Sequence, residues 1–190
     1  SMYRRIQGGI EEKGRKKFLI GKGVAALSEK LVGINLRRRI FGRIHERVGG
    51  RLRLLISGGA AINPEVAKGF RELGVDFIQG YGMTEYSPII AVNRVENFRD
   101  ASVGIPLPGT DVEIIDEEIV VKGPCTMQGY YKNSEATEEV LREGRLYTGD
   151  LGYFDRNGFL YISGRRKSVI VTPNGKNVYP EEVEFHLAES

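Results

Sequence analysis

Val75-Asp76-Phe77-Ile78-Gln79-Gly80-Tyr81-Gly82-Met83-Thr84-Glu85 decides the fold. Its apolar start reads as a short buried strand over residues 75–79. Gly80 and Gly82 follow, and glycine lets a backbone approach a ligand closely, so a tight loop with exposed N–H groups is expected there. Tyr81 offers a flat aromatic face, Thr84 a hydroxyl for a phosphate, and Glu85 a hard oxygen ligand for Mg²⁺. A nucleotide is the simplest molecule that uses all of these side chains together. The same stretch also serves as a plain strand–turn–strand connection in any α/β domain.

Upstream, residues 52–57 read as a second strand, and Gly58-Gly59-Ala60-Ala61 as a small-residue turn. Asn63 is a good N-cap, and Pro64 suits the first helical position. Val66, Phe70 and Leu73 share one helical face, and Gly74 can end the helix. The unit is βαβ, so the two strands should be parallel neighbours with a right-handed crossover. Both glycine-rich turns then emerge at the carboxyl ends of those strands, the edge at which open α/β sheets bind ligands. One crevice is expected rather than two separate loops.

Residues 2–48 read as helical, with Leu36, Ile40, Phe41, Ile44 and Val48 at helical spacing and Arg37, Arg38, Arg39, Arg43 and Arg47 between them. Such a helix can lie on a membrane surface or nucleic acid, or it can pack by its apolar stripe and solvate its basic face; packing is the ordinary outcome. His45 reads as a packing or surface residue, because nothing nearby supplies metal-ligand spacing.

Beyond residue 100 short strands replace helices. Ser102 to Gly109 reads as a rigid connector, 112–115 and 119–122 as strands, and Asn133 or Ser134 as the cap of a short helix through Leu141. Asn157-Gly158 inside 153–161 is a strong hairpin signal. Residues 168–172 read as a strand, 173–175 as a turn, and Pro180 as the start of a helix. A small antiparallel barrel or curled sheet is expected. The fold class is therefore α/β: a βαβ part of a larger sheet, then a β-barrel-like subdomain. The expected divisions are 1–100, 101–185, and 186–190 as the start of a further domain.

The chain has 190 residues, 41% of them hydrophobic, enough for a real core. The lone Cys125 excludes an internal disulfide and fits a reducing, cytoplasmic compartment. Net charge is +3, unevenly spread: residues 1–55 hold 15 Lys and Arg against 4 Asp and Glu, and the remainder 13 against 21. A front segment that meets an anionic surface, such as the periphery of a membrane, or covers an acidic neighbour is expected from this. Interleaved surface aromatics and nucleic-acid motifs are lacking, which argues against a nucleic-acid partner. Met2 behind Ser1 does not look like a natural start, and a piece of a longer chain is expected.

Four stretches need one explanation: Ser57 to Ala61, Gln79 to Glu85, Tyr147-Thr148-Gly149-Asp150-Leu151-Gly152, and Gly164-Arg165-Arg166-Lys167. Together they resemble the adenylate-forming superfamily of acyl-CoA synthetases, luciferases and peptide-synthetase adenylation domains. Residues 1–50, leading through Gly49-Gly50-Arg51-Leu52-Arg53, look most like the long-chain fatty acyl-CoA synthetase branch. The resemblance implies an AMP-forming ligase. A fatty acid or other carboxylic acid attacks the α-phosphate of ATP, giving acyl-AMP, and coenzyme A then takes the acyl group. It implies that Gly59 and Ala60 line the adenine pocket and that Gln79 bonds the adenine amino group. Tyr81, within Gly80 to Met83, would stack on the ring, Thr84 would contact the α-phosphate, and Glu85 would hold Mg²⁺. Asp150 would accept from the ribose hydroxyls and Arg165 would contact ribose or phosphate. Lys167 would be the hinge residue, and Gly175 would lie near the pantetheine channel.

The family's Ser/Thr/Gly-rich phosphate loop and its adenylation lysine are not found in these residues. The expectation is therefore the nucleotide-binding second half of a large domain, inactive in isolation. A stand-alone nucleotide-binding or scaffold module is the alternative. Asp116-Glu117-Glu118-Ile119 replaces the longer turn usual in that family, and is expected to affect a surface hairpin and not the site.

Overall fold

A computed structural model of the chain describes residues 12–32, 35–59, 62–168, 170, 171, 177, 178 and 180. The described residues fall into two compact units, one drawn from residues 12–57 and 62–78, the other from residues 58, 59 and 79–180.

In the first unit, helices α1 (Glu12–Val32), α2 (Arg37–Ile40) and α3 (Gly42–Arg47) precede strand β1 (Leu54–Ser57) and helix α4 (Pro64–Glu72). The single helical stretch expected over 2–48 is thus three helices, and its first ten residues lie outside the described part. Helix α4 starts as its sequence requires: the Asn63 side chain accepts from Glu65 N–H at 2.8 Å, with Pro64 in the first turn. It ends at Gly74, whose φ of 84° suits glycine. Strand β2 (Asp76–Gly82) neighbours β1, as the βαβ reading expects, and Asp76 N–H donates to Arg53 O at 2.8 Å.

Phe41, Ala67, Phe70, Leu73, Val75 and Phe77 form the core of this unit. His45 is buried and its Nε2 bonds the Leu73 carbonyl at 2.7 Å, a packing role. Arg38 donates to the carbonyls of Leu52 (2.6 Å) and Gly50 (3.1 Å), so part of the basic face serves the unit's own backbone. Ile20, Val24, Leu27 and Leu31, a stripe along α1, are exposed. No helix among the described residues is long and apolar enough to cross a membrane.

In the second unit, β2 pairs antiparallel with β3 (Ile89–Val92), which pairs with β4 (Ile105–Pro106). This corrects the loop expected at Gly80 and Gly82: the strand runs through both glycines, with Gly80 opposite Val92 and Gly82 opposite Ile89. The reason is steric. A Cβ at Gly80 would lie 3.3 Å from the Ala91 carbonyl oxygen, and one at Gly82 would overlap the Pro88 carbonyl. Glycine here admits a neighbouring strand. The turn moves on to Met83–Pro88 and contains a 3₁₀ turn, Thr84–Tyr86.

The remaining strands are β5 (Asp111–Ile115), β6 (Glu118–Lys122), β7 (Leu141–Arg142), β8 (Arg145–Phe154) and β9 (Leu160–Arg165). They form one antiparallel sheet ordered β5-β6-β8-β7, with β9 also on β8. Helix α5 (Ser134–Val140) is capped by Asn133, which accepts from Ala136 N–H at 3.0 Å. The Asn157-Gly158 hairpin forms as read, and Asp155 Oδ1 collects the N–H groups of Asn157 and Phe159. Between β5 and β6, Asp116 and Glu117 both have positive φ, 50° and 65°, as a type I′ turn requires. The short link closes because these two residues accept a conformation usually left to Asn-Gly, at about 1 kcal/mol for Glu117. Strands β10 (Ile170–Val171) and β11 (Asn177–Val178) pair with each other; the turn expected at 173–175 lies outside the described residues.

Tyr81, Tyr86, Ile90, Val103, Ile119, Val121, Leu146 and Leu160 are among the core that joins both sheets of this unit. A bridge between Gly104 and Leu160 also links them. The carboxyl end of β2 is thereby fixed against β8 and β9.

Candidate functional site

Strand pairing alone places Asp150 opposite Arg165, and the shared core sets Tyr81 of β2 beside them. The Tyr81 hydroxyl donates to Asp150 Oδ2 at 2.7 Å, and Arg165 Nε donates to Oδ1 at 2.8 Å. The carboxylate, carried on β8, is thus held on both oxygens by side chains from β2 and β9. Burial first, and then the Asp150 charge, push the Tyr81 phenol well above its usual range, so it remains a donor. Arg165 is mostly exposed, and the hydrogen bond and charge of Asp150 raise it further. The Glu85 charge also acts on Arg165, which puts the second carboxylate within electrostatic reach.

Behind Asp150 lies a scaffold that the sequence did not reveal. Asp150 N–H donates to Thr148 Oγ1 at 3.1 Å, and that hydroxyl donates to Ile119 O at 2.8 Å. Glu118, buried, accepts from Gly149 N–H at 2.7 Å and pairs with Arg166 at 3.3 Å. The expectation that residues 116–119 leave the site untouched is therefore corrected. The tight turn delivers Glu118 directly under the Thr148-Gly149-Asp150 segment. Its sequence signal was an acid next to the apolar run Ile119-Val120-Val121, where a buried carboxylate needs donors.

Gln79 precedes Gly80 on β2 and is buried, yet its Oε1 has no hydrogen-bond partner among the described residues. Its backbone is fixed: Asn93 N–H donates to Gln79 O at 2.9 Å. The Asn93 side chain in turn donates to Ser102 O at 2.7 Å and accepts from Arg99 N–H at 3.0 Å. An orphaned buried acceptor is costly unless something else donates to it.

Past Gly82, Met83 N–H donates to Pro88 O at 2.7 Å, Thr84 is exposed, and Glu85 is half-buried. Glu85 Oε1 accepts from the Tyr130 hydroxyl at 2.8 Å. Burial and that hydrogen bond raise the Tyr130 phenol above its usual range. Gly59 has a φ of 82°, and a Cβ on its neighbour Gly58 would lie 3.8 Å from Gly80 O, so the glycine turn runs beside β2. Ala60 and Gly175 lie outside the described residues. Lys167 is exposed in a 3₁₀ turn, with no hydrogen bond to the others among the described residues. No group of three or more His, Cys, Asp or Glu able to hold a metal occurs among the described residues.

An unpartnered amide oxygen, a carboxylate held by a phenol and a guanidinium, and a second carboxylate on the adjoining turn suit a ligand that brings amino and hydroxyl donors and a cation. Residues 13–131 match the family model described as AMP-binding enzyme, and the chain belongs to that family. It is 41% identical over 148 residues to a long-chain-fatty-acid–CoA ligase of Bacillus subtilis, covering 70% of this chain and 26% of that protein. Against the long-chain-fatty-acid–CoA ligase of Salmonella typhimurium it is 32% identical over 195 residues, covering 95% and 33%. The solved structure of O-succinylbenzoate coenzyme A synthetase (MenE) from Bacillus subtilis, in complex with ATP and magnesium ion, superposes with a TM-score of 0.68 at 33% identity. That alignment covers 79% of this chain and 34% of that one. The chain thus spans about a quarter to a third of the length of the curated relatives it matches.

Proposed function

We propose that this chain is the nucleotide-binding part of an AMP-forming long-chain fatty acid–CoA ligase. The observation that carries the reading is Asp150, fixed between Tyr81 and Arg165 on the same unit as the orphaned Gln79 Oε1. In this reading Gln79 Oε1 accepts from the adenine amino group, which supplies the donor it lacks. Asp150 accepts from the ribose hydroxyls with the lone pairs that Tyr81 and Arg165 leave free. Tyr81 contributes ring surface and holds Asp150 in place; Gly59 and Ala60 would line the adenine pocket with backbone. Thr84 contacts the α-phosphate and Arg165 the ribose or phosphate.

Mg²⁺ fits the donor set, because this ion is commonly held by one or two carboxylates together with substrate phosphates. Glu85 would be the carboxylate, and the ion would neutralise charge on the phosphates. The fatty acid carboxylate then attacks the α-phosphorus, and pyrophosphate leaves. In the second step the coenzyme A sulfur attacks the acyl carbon, and AMP leaves. Lys167 would lie where the chain pivots between the two steps.

Fatty-acid-dependent exchange of labelled pyrophosphate into ATP by the full-length protein tests the reading. Exchange is expected with long-chain fatty acids and not with short or aromatic acids. Exchange driven equally by aromatic acids would contradict the substrate class, and no exchange with any carboxylic acid would contradict the reaction.

A further inference from the structure

Two hydrogen bonds tie the segment between β6 and α5 to the β2–β3 turn, and both end on Glu85. Met127 N–H donates to the Glu85 carbonyl at 2.8 Å, and the Tyr130 hydroxyl donates to Oε1 at 2.8 Å. Tyr130 is itself anchored. Its N–H donates to Thr137 Oγ1 at 2.9 Å, and that hydroxyl donates to Asn133 O at 2.7 Å at the start of α5. Gly129, with φ of 147°, passes so close to the helix that a Cβ would lie 2.9 Å from Thr137 Cγ2. The helix start thus sets the height of the phenol.

The phenol occupies one oxygen of a flexible side chain. The hydrogen bonds of the described residues leave Glu85 Oε2 without a donor. An ionised carboxylate has about four lone-pair sites, so one phenol leaves ample capacity for a cation. Ligating carboxylates are commonly oriented by a hydrogen bond from outside the ligand set.

We propose that Tyr130 is a positioning residue that presents the Glu85 carboxylate to the Mg²⁺ carried on the ATP phosphates; this rests on the function proposed above. Tyr130 does not touch substrate in this reading and acts only through Glu85. Nothing in the sequence marked it, since it stands 45 residues from Glu85 and no local spacing relates the two.

The test is equilibrium binding to the full-length protein without any carboxylic acid, so that no turnover occurs. Two ligands are compared, ATP with Mg²⁺ and AMP without metal. Tyr130→Phe should weaken Mg·ATP binding by about 10-fold, the low end for loss of such an orienting partner. AMP binding should stay within about twofold, which also reports that the variant is folded. Glu85→Gln should weaken Mg·ATP binding as well, and adding Tyr130→Phe to it should cost less than about twofold more. Equal losses for both ligands, or no loss for Mg·ATP, would overturn the role of Tyr130. If Glu85→Gln itself leaves Mg·ATP binding intact, the metal assignment of Glu85 fails, and the proposal fails with it.

Discussion

Asp150→Ala should lower AMP affinity of the full-length protein by roughly 100-fold, with a parallel loss of stability. Hydrogen bonds to charged groups contribute about 1.5–3 kcal/mol each, and two ribose hydroxyls would lose a charged acceptor. The stability loss has a separate origin. Tyr81 is 8% exposed, and its hydroxyl would lose the acceptor 2.7 Å away. An unsatisfied buried donor costs about 1–3 kcal/mol. Asp150→Asn should fall between, since an amide oxygen still accepts from Tyr81 but offers Arg165 no charge. Titration calorimetry with AMP and denaturant unfolding separate the two effects. AMP affinity equal to the parent's in Asp150→Ala would show the segment to be purely structural.

Gly82→Ala should cost about 3 kcal/mol or more, the upper end for overpacking, because the added Cβ meets backbone that no rotamer change can clear. The overlap is with the Pro88 carbonyl, and the hairpin carrying Thr84 and Glu85 would have to open. In a chain of this size that corresponds to a fall in melting temperature of roughly 6–12 °C. Gly144→Ala is the control. Gly144 has φ of 72° but open space around its Cβ position, so only backbone strain of about 1–2 kcal/mol applies. Thermal unfolding of both variants should rank Gly82→Ala clearly lower. Equal melting temperatures would mean that the hairpin yields without strain.

Much of the fold was legible because its signals are local. Asn63-Pro64 and Gly74 bound α4, Asn133 caps α5, and Asn157-Gly158 makes a hairpin, each through contacts a few residues away. The glycines of β2 were misread as a loop because their cause is not local: Gly80 and Gly82 are small for the sake of Ala91 and Pro88 on the partner strand. The same limit applies at the site. Tyr81 and Glu85 were readable as chemistry from their residue types, while Gln79, Asp150 and Arg165 were singled out only by the resemblance. That Tyr81 bonds Asp150, 69 positions on, was not readable. Glu118, Asn93 and Tyr130 act through side chains that meet distant backbone or carboxylate, and no spacing rule marks such partners. The basic front segment was legible as charge, but the partner of Arg38, two backbone carbonyls at the loop before β1, needed the folded chain.

The nucleotide assignment is tested most directly by comparing AMP with inosine monophosphate in equilibrium binding to the full-length protein. The two differ in the base, where inosine carries a carbonyl in place of the amino donor. Gln79 Oε1 is a buried acceptor without a partner among the described residues, so the carbonyl would leave two acceptors facing each other. AMP should bind about 10–100-fold more tightly, and Gln79→Leu should collapse that preference by weakening AMP alone. Equal binding of the two nucleotides to the parent protein, or a preference that survives in Gln79→Leu, would contradict an adenine site at the end of β2.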